Sequence, residues 1–316
     1  MSDIPVISVV IPLYNRGPYI ARAINSVLSQ TEQRFEIIVM DGHSTDDGPR
    51  IVNLLKDNRI FFHMQSGSGV SSARNEGVCL SRSDFIAFLD ADDEWMPDHI
   101  ETLMKLRNRY PEAGAYTTAY MIKLPNSKIR SVNYYAIPER PWEGLLQSYF
   151  KSGAFGYPPV WTSVVGIPRH IFIKLGGFKD GVWIGEDTDL WGRIALKYPI
   201  AFSWNGMGIY HTEATNRVCK RAEPIQENIF ISTARDAIEA GEISPRMRAD
   251  LLEYISKKQI ETAFHNIRVG ERRLARYNLK KCATKRLVMQ KYLAIFLAYA
   301  PQRAYSLFSK LYMFRK

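Results

Sequence analysis

Short apolar runs alternate with helix-periodic stretches over the first hundred residues. Residues 6–11, 35–40 and 85–89 are almost wholly apolar and too short for typical helices, so we expect strands that are buried on both faces. The alternation with helical patterns and short connections predicts a parallel α/β sheet whose loops after these three runs gather at one edge. The first helical pattern spans residues 19–28 and has an apolar face formed by Ile20, Ala23, Ile24, Val27 and Leu28.

The chain changes character near residue 222. Up to that point strand and helix signals continue to alternate, whereas from Pro224 onward only long amphipathic helical patterns remain. We therefore predict a mixed region over residues 1–222 and a helical region over residues 223–316. Within the mixed region the patterns predict helices at residues 49–56, 98–110 and 143–150, and strands at residues 60–63, 113–123 and 160–167.

Four acids, Asp90, Asp92, Asp93 and Glu94, follow the third apolar run. The carboxyl end of a parallel strand is where open sheets bind ligands, and clustered carboxylates repel one another unless a cation joins them. Hard oxygen ligands in a D-x-D arrangement suit Mg2+ or Mn2+ that bridges to substrate phosphates. The alternative is an acidic turn that caps the next helix, with Asp93 or Asp98 at the N-cap.

Glycines and serines at residues 66–77, SGSGVSSARNEG, run into another helical pattern. Backbone N–H groups together with Arg74 at a helix start make an anion cradle, although the third glycine of a dinucleotide-binding fingerprint is missing. The alternative is a flexible loop with a helix cap.

A second acidic centre lies at residues 185–193, GEDTDLWGR. Its apolar positions recur at helical spacing, so Glu186 and Asp187 fall in or just before the first turn of a helix. A helix dipole by itself favours acids there, which is the structural alternative to a chemical role. The apolar face of this helix is formed by Leu190, Trp191, Ile194 and Ala195.

Charge separates the two predicted regions further. The chain has a net charge of +10, yet residues 246–316 carry 17 Lys and Arg against 4 Asp and Glu, which leaves a net charge of −3 for the first 245 residues. This asymmetry indicates an anionic partner for the tail. Three cysteines far apart without metal-ligand spacing, and a start without a signal-peptide pattern, favour a reducing cytoplasmic location.

Five motifs together resemble the family 2 glycosyltransferases, which have the GT-A fold. The resemblance covers roughly residues 6–215 and implies an inverting, metal-dependent transferase that uses a nucleotide sugar, most commonly with UDP. It implies a Rossmann-like, mostly parallel mixed sheet flanked by helices, with a nucleotide part at about residues 1–98 and an acceptor part at about residues 99–222. The motifs are SVVIPLYNR at residues 8–16, IIVMDGHSTD at 37–46, GVSSARNEG at 69–77, FLDADDEWMPD at 88–98 and GEDTDLWGR at 185–193.

The resemblance assigns a donor-binding role to residues in the first four motifs. Asp41 matches the acid that hydrogen-bonds the nucleotide base, usually at N3 of uracil, because a carboxylate accepts from an imide N–H. Arg74 matches the residue that reaches the nucleotide end of the donor, and Asp90 lies near the ribose. Gly42 and His43 depart from the commoner D-D-G-S pattern, which leaves uracil or another pyrimidine as the base. Further donor-binding positions are Pro12, Tyr14, Asn15, Arg16, Ser44 and Gly69.

The remaining motif positions carry the chemistry that the resemblance implies. Asp187, with Glu186 beside it, matches the general base that removes the proton from the acceptor hydroxyl. Asp92 matches the metal ligand at the diphosphate, where Mn2+ or Mg2+ stabilises the leaving group. His211 is either a second metal ligand on a mobile loop or a structural histidine. Basic residues that follow it, which are candidates to close over the diphosphate, are Arg217, Lys220 and Arg221.

The expected partners are a nucleotide sugar and a glycan or lipid-linked glycan, in the synthesis of cell-surface polysaccharide or glycoconjugate. The aromatic residues 134–157 suit an acceptor site, and an ordinary connection explains them as well. The tail at residues 287–316 mixes aromatic and basic residues and predicts peripheral attachment to the cytoplasmic face of a membrane. A packed helical cap or a homodimer contact is its alternative, and no nucleic-acid-binding module accompanies the charge. Two other functions stay open: a nucleotide-sugar-binding protein without transfer, and a nucleotidyltransferase.

Overall fold

A computed structural model describes residues 4–214, 221–301 and 305 of the chain. Within these residues the chain forms two compact units. The first comprises residues 4–149 and 156–214, and the second comprises residues 150–155, 221–301 and 305. The sheet lies in the first unit, and helices alone make up the described part of the second. The predicted α/β class with a helical C-terminal region is therefore confirmed.

The first unit is built on one mixed sheet. Its first four strands are β1 (Ile7–Leu13), β2 (Phe35–Asp41), β3 (Ile60–Met64) and β4 (Phe85–Phe88), and all three pairings among them are parallel. β1 and β2 are buried nearly throughout, as apolar runs covered on both faces require.

The second half of the sheet contains antiparallel pairs. It comprises β5 (Glu94–Trp95), β6 (Ala115–Lys123), β7 (Ile129–Ser131), β8 (Glu143–Leu145), β9 (Val165–Pro168) and β10 (Ile200–His211). The main strand order is β3-β2-β1-β4-β9-β6-β10-β5. β9 runs antiparallel to both β4 and β6, whereas β6 and β10 are parallel to each other.

Helices cover this sheet. They are α1 (Gly17–Leu28), α2 (Gly48–Leu54), α3 (Gly69–Leu80), α4 (His99–Arg109), α6 (Arg169–Lys174) and α7 (Glu186–Lys197). The predicted apolar face of α1 is buried at Ile20, Ala23, Ile24 and Val27. α1 therefore packs its 3.6-residue stripe into the core, and the loops after β1, β2 and β4 share one edge of the sheet, as predicted.

Two predicted elements are wrong in type or position. Residues 143–150 do not form one helix: β8 occupies the first three, and α5 (Tyr149–Phe155) begins four residues after β8 ends. The reason is tertiary, because β8 pairs antiparallel with β10 through Ala201 and Leu145, which offers its backbone a sheet partner. The predicted strand at residues 160–167 begins instead with a 3-10 turn, Thr162–Val164, and only then becomes β9.

Strand β10 is irregular. Its register against β6 shifts between Ser203 and Gly208. Gly206 has a φ of +65° there, a conformation that glycine adopts without the steric cost of a side chain. The Gly-containing interruption in the pattern thus marks an irregularity within one strand.

The second unit is formed by helices α5, α8 (Ile229–Glu239), α9 (Pro245–Arg268), α10 (Arg272–Lys281) and α11 (Val288–Tyr299), of which α5 contributes residues 150–155. Polar caps define two of the helix starts: the side chain of Asn228 accepts from the N–H of Phe230, and that of Ser244 accepts from Met247. The helices enclose an apolar core of their own, which includes Ile260, Leu279 and Leu297. Over residues 4–214, 221–301 and 305, no helix is both long and apolar enough to cross a membrane.

Candidate active site

The acidic loop after β4 is anchored by one buried acid. Asp93 accepts hydrogen bonds from the hydroxyl of Ser163 at 2.7 Å and from the backbone N–H of His211 at 3.1 Å. The same Ser163 hydroxyl accepts from the N–H of Asp90 at 3.1 Å. Burial, and next the nearby charges of Asp92 and Asp90, raise the pKa of Asp93 well above its usual range. Asp93 therefore holds the loop from inside, while Asp90 and Asp92 stay half-buried at its surface.

The capping alternative for this loop finds no support in these contacts. Asp98 does occupy the N-cap of α4, but its side chain makes no capping hydrogen bond. Asp93 is engaged with Ser163 and His211 instead of with the start of a helix.

Two arginines of the first helical segment face Asp92. Arg16 Nε lies 3.2 Å from Asp92 Oδ2, and Arg22 donates to the backbone carbonyl of Asp92 at 2.6 Å. Arg22 also pairs with Glu213 at 2.7 Å. The resemblance identified Arg16 as donor-binding, but no sequence signal indicated Arg22, because it looks like any exposed position of an amphipathic helix. The same holds for Ser163, which lies 70 residues from Asp93 in the chain.

A buried carboxylate lies at the end of β2. Asp41 is fully buried, and its Oδ2 accepts from the N–H of Ser44 at 3.0 Å. Its Oδ1 is also buried and has no hydrogen-bond partner among the residues that the structure describes. The turn that Asp41 makes with Ser44 thus uses only one of the two carboxylate oxygens of Asp41. The second oxygen needs a donor, because a buried polar group without a partner costs about 1–3 kcal/mol.

The loops after β1 and β2 are tied to each other around Asp41. The N–H of Asn15 donates to the Ser44 hydroxyl at 2.9 Å, and the Asn15 side chain accepts from the N–H of Thr45 at 2.8 Å. Both Asn15 and His43 have left-handed φ angles, of 49° and 61°. The commoner motif has glycine at the position of His43. The left-handed φ of this position explains that preference, because glycine adopts such a φ without steric cost. Pro12 is half-buried and Tyr14 is exposed beside these loops.

The glycine and serine loop is held by a side chain of α3. Glu76 accepts from the N–H groups of Ser66 at 2.7 Å and Gly67 at 2.9 Å, and from the Ser72 hydroxyl at 2.7 Å. These two amides are therefore occupied within the protein and are not open to an anion. Gly69, exposed at the start of α3 with a φ of +83°, has open space where a side chain would lie.

A buried arginine joins the two acidic centres. Arg74 donates from one guanidinium nitrogen to Asp90 at 2.7 Å and from the other to Glu186 at 3.1 Å. It is only 4% exposed, and its guanidinium lies 5.1 Å from the centre of the Phe178 ring. The spacing between the D-x-D motif and the second acidic motif gives no hint of this bridge, since Asp90 and Glu186 are 96 positions apart.

The second acidic centre begins α7 as predicted. Gly185 precedes the helix with a φ of +85°, and Glu186 and Asp187 occupy its first turn. Burial, and next the charge of Asp187, raise the pKa of Glu186 to about 7, although Arg74 acts in the opposite direction. Asp187 is half-buried, and its Oδ1 accepts from the N–H of Thr188 at 2.6 Å.

Asp189 of the same turn has a different environment. It is fully buried, with Lys179 at 3.2 Å and Arg193 at 2.8 Å. Arg193 in turn donates to the backbone carbonyl of Gly177 at 2.6 Å. Asp189 therefore fixes α7 to the turn at Gly177 and has no face toward solvent.

His211 ends strand β10 and is not on a loop. Its ring is fully buried, with Nε2 3.1 Å from Glu94 and Nδ1 3.5 Å from Glu213. The neighbouring ring lowers the pKa of Glu94. Of the basic residues predicted to close over the diphosphate, Arg217 and Lys220 lie outside the described residues, and the described Arg221 belongs to the second unit.

The side chains around Asp92 meet the requirements of a divalent-cation site only in part. In the described stretches of the chain, no three His, Cys, Asp or Glu side chains are grouped to hold a metal ion. Asp92 does offer a half-buried carboxylate, and Asp90 and Asp93 lie near it. The charges of Asp92 and Asp90 help to raise the pKa of Asp93. A single oxygen ligand next to a phosphate is what Mg2+ or Mn2+ sites with substrate commonly use.

Comparison with known proteins matches the chain to one family. The family model described as glycosyl transferase family 2 matches residues 8–164. An uncharacterized glycosyltransferase of Rickettsia conorii is 31% identical over 195 residues, which is 61% of this chain and 31% of that protein. The chain spans about a third of the length of the first curated relatives it matches.

Solved structures share the fold at low sequence identity. Residues 1–349 of TarS from S. aureus, in complex with UDP-GlcNAc, superpose with a TM-score of 0.65 at 15% identity, covering 92% of this chain and 88% of that one. The mannosyltransferase PcManGT from Pyrobaculum calidifontis, in complex with GDP-Man and Mn2+, gives a TM-score of 0.59 at 18% identity, covering 96% and 83%. These likenesses support the GT-A fold.

Proposed function

This chain belongs to glycosyl transferase family 2, and we propose that it is an inverting enzyme that moves a sugar from a UDP donor to a hydroxyl of a glycan or lipid-linked glycan. One observation carries the proposal. Arg74 joins Asp90 of the acidic loop to Glu186 of the α7 turn, so a donor at the first and a base at the second would be held in one rigid frame.

The donor base would lie against Asp41. Its buried Oδ1 lacks a hydrogen-bond donor among the described residues, and the N3–H of uracil supplies one. Pro12, Tyr14 and Asn15 would line the pocket, with Asn15 held in place by Ser44 and Thr45. Two solved structures of this fold contain UDP-GlcNAc and GDP-Man. Their ligands support a nucleotide sugar as the substrate class.

The proton transfer would be made by α7. Asp187 lies at the first turn with a half-buried carboxylate, the position for a base that accepts the proton of the acceptor hydroxyl. Glu186 beside it has a raised pKa of about 7 and keeps its contact with Arg74, so its role is to position the turn.

A divalent cation, Mn2+ or Mg2+, would supply charge stabilisation at the diphosphate of the donor. Asp92 would hold it, together with donor phosphate oxygens, and Arg16 would have to share Asp92 with the ion. His211 is the second proposed ligand. It would have to exchange Glu94 or Glu213 for the ion, because both ring nitrogens face these carboxylates here.

The proposed setting is cell-surface polysaccharide or glycoconjugate synthesis at the cytoplasmic face of a membrane. The support is the positive charge of the C-terminal region, which would bring the catalytic unit to lipid-linked acceptors. A nucleotide-sugar-binding protein without transfer, or a nucleotidyltransferase, are the competing functions, and both leave Asp187 without a role.

Nucleotide release tests the proposal directly. The purified chain is incubated with a panel of UDP- and GDP-sugars and candidate acceptors, with and without Mn2+, and free nucleoside diphosphate is measured. We expect Mn2+-dependent release of UDP, lost in Asp92→Ala and kept in Asp98→Ala, an exposed acid six residues further on. Donor binding without any release would favour the binding-protein function, and pyrophosphate formation from a nucleoside triphosphate and a sugar phosphate would favour a nucleotidyltransferase.

A further inference from the structure

Helix α11 is apolar on two opposite faces. One face packs into the core of the second unit through Ala294, Leu297 and Ala298. The opposite face is turned to solvent: Met289 is 81% exposed, Tyr292 65%, Phe296 64% and Tyr299 72%. We call this second face, with Val288, the α11 stripe.

The α11 stripe is continuous. At 100° per residue its five side chains fall within an arc of about 100°, on the side opposite to the buried alanines and leucine. Other large exposed apolar side chains, such as Ile173 and Leu54, lie singly on other helices. A helix that is apolar all round is normally buried, and a grouped apolar surface marks an interaction site.

Basic residues surround the α11 stripe, and no acid lies in this part of the sequence. Residues 272–300 contain eight Lys and Arg and neither Asp nor Glu. At the carboxyl end of α11 the Arg276 guanidinium lies 4.9 Å from the centre of the Tyr299 ring. At the other end Lys285 and Arg286 are exposed just before the helix. Positive charge therefore flanks the stripe at both ends.

This combination discriminates between partners. A symmetric dimer would place the same patch on both subunits, so that the positive charges at the ends of one stripe would lie near those of the other. A duplex nucleic acid would use the charge but not the apolar side chains, and single strands, whose bases stack on aromatic side chains, are held in a basic groove and not on the outer face of one helix. An anionic lipid surface uses both, since it attracts Lys and Arg and accepts apolar side chains at the headgroup boundary.

We propose that the α11 stripe, with Arg276 at one end, Lys285 at the other and the exposed Lys280 on the neighbouring helix α10, is the surface by which this chain docks onto an anionic lipid bilayer. The inference names the contact surface for the membrane location suggested above, and rests on the proposed function only for the identity of the acceptor. The stripe enters the headgroup region, and the basic side chains contact the lipid phosphates.

Two sets of variants of the full chain test the docking surface. The first replaces the stripe, Met289→Gln, Tyr292→Gln and Phe296→Gln, with a residue that forms helices well. The second reverses charge at Lys280→Glu and Lys285→Glu. Matched controls are Ile173→Gln with Leu54→Gln for exposed apolar residues, and Lys56→Glu with Lys128→Glu for exposed charge.

Sedimentation with vesicles of phosphatidylcholine, with or without phosphatidylserine, gives the readout. We expect binding that requires the anionic lipid and weakens with salt, and that falls by at least about tenfold in both variant sets but not in the controls. Equal binding by parent and stripe variants would overturn the proposal. The proposal would also be overturned if the parent chain did not bind vesicles and formed a dimer that the stripe substitutions converted to monomers.

The enzyme reaction is measured on the same proteins in a separate assay. Stripe and charge variants should release UDP from the donor as fast as the parent when no lipid is present. Conversely, Asp187→Asn should sediment with vesicles as the parent does. Loss of docking and failure of the proposed transferase activity are thus distinguishable.

Discussion

The two acidic centres of the first unit are built on the same division of labour. In the loop after β4, Asp93 is buried and holds Ser163, while Asp92 stays half-buried at the surface. In the first turn of α7, Asp189 is buried and Asp187 stays half-buried. Each motif therefore contains one acid that fixes the local structure and one that can reach a ligand, and burial tells them apart where the sequence does not.

The two buried acids differ in what compensates their charge. Asp189 lies between two cations, Lys179 and Arg193, whereas Asp93 has a hydroxyl and an amide as partners. Burial and the charges of Asp92 and Asp90 raise the pKa of Asp93, and its two neutral donors oppose that rise only in part. The acids of the first centre thus repel one another, which a cation would relieve, whereas Asp189 already has two cations beside it.

The largest expected effect separates Asp187 from its buried neighbour. Asp187→Asn should fold normally and bind donor, but lose sugar transfer by about 100- to 10,000-fold, because removal of a general base typically costs that much. The measurement is the steady-state rate of UDP release with acceptor, beside a donor titration. A rate within a few-fold of the parent would place the base elsewhere.

The opposite result is expected for Asp189→Asn, the same substitution two residues further on. It leaves Lys179 and Arg193 beside a neutral group, and breaking a buried ion pair costs about 3–5 kcal/mol of unfolding free energy. Urea denaturation followed by circular dichroism measures the loss, with Asp187→Asn as the control. Equal stability of the two variants would refute the division between structural and chemical acids.

Glu186 predicts a pH dependence of stability. Its pKa in the folded chain is about 7, above the ordinary 4.5, so the folded state binds this proton more tightly than the unfolded state. The contribution of Glu186 to stability therefore falls as pH rises from about 4.5 to about 7 and is constant above that. Relative to Glu186→Gln, the parent should lose on the order of 3 kcal/mol across this window, since one pKa unit corresponds to about 1.4 kcal/mol.

Denaturation of both proteins at pH 4.5, 6 and 8 gives this difference. A difference that stays constant between pH 4.5 and 8 would mean that the Glu186 carboxyl titrates as in the unfolded chain.

The smallest effect is expected at Ser163, which serves both Asp90 and Asp93. Ser163→Ala removes two hydrogen bonds of the acidic loop and should cost about 1–2 kcal/mol, the usual result when a buried acceptor loses its donor. Because the loop is the proposed donor site, the KM for the donor should rise as well. Ser203→Ala, an equally buried serine on β10, is the control and should leave that KM unchanged. An unaltered KM in Ser163→Ala would show that the acidic loop keeps its shape without the hydroxyl.

The sequence determined the parts of this protein that depend on local periodicity. The buried strands β1, β2 and β4 follow from short, continuous apolar runs, which are typical of strands covered on both faces. The apolar face of α1 and the start of α7 follow from the repeat of about 3.6 residues in a helix. The motifs also identified the family, because their order along the chain carries that information directly.

Tertiary structure decided what periodicity does not encode. Residues 143–145 become a strand because β10 offers them hydrogen-bonding partners, against the helical pattern of residues 143–150. Arg74, predicted to reach the donor, lies buried between Asp90 and Glu186, and Ser163 joins a loop from 70 residues away. Such contacts depend on which elements meet in the folded chain. Whether an acid is compensated, exposed or displaced in pKa is therefore fixed by neighbours that are distant in sequence.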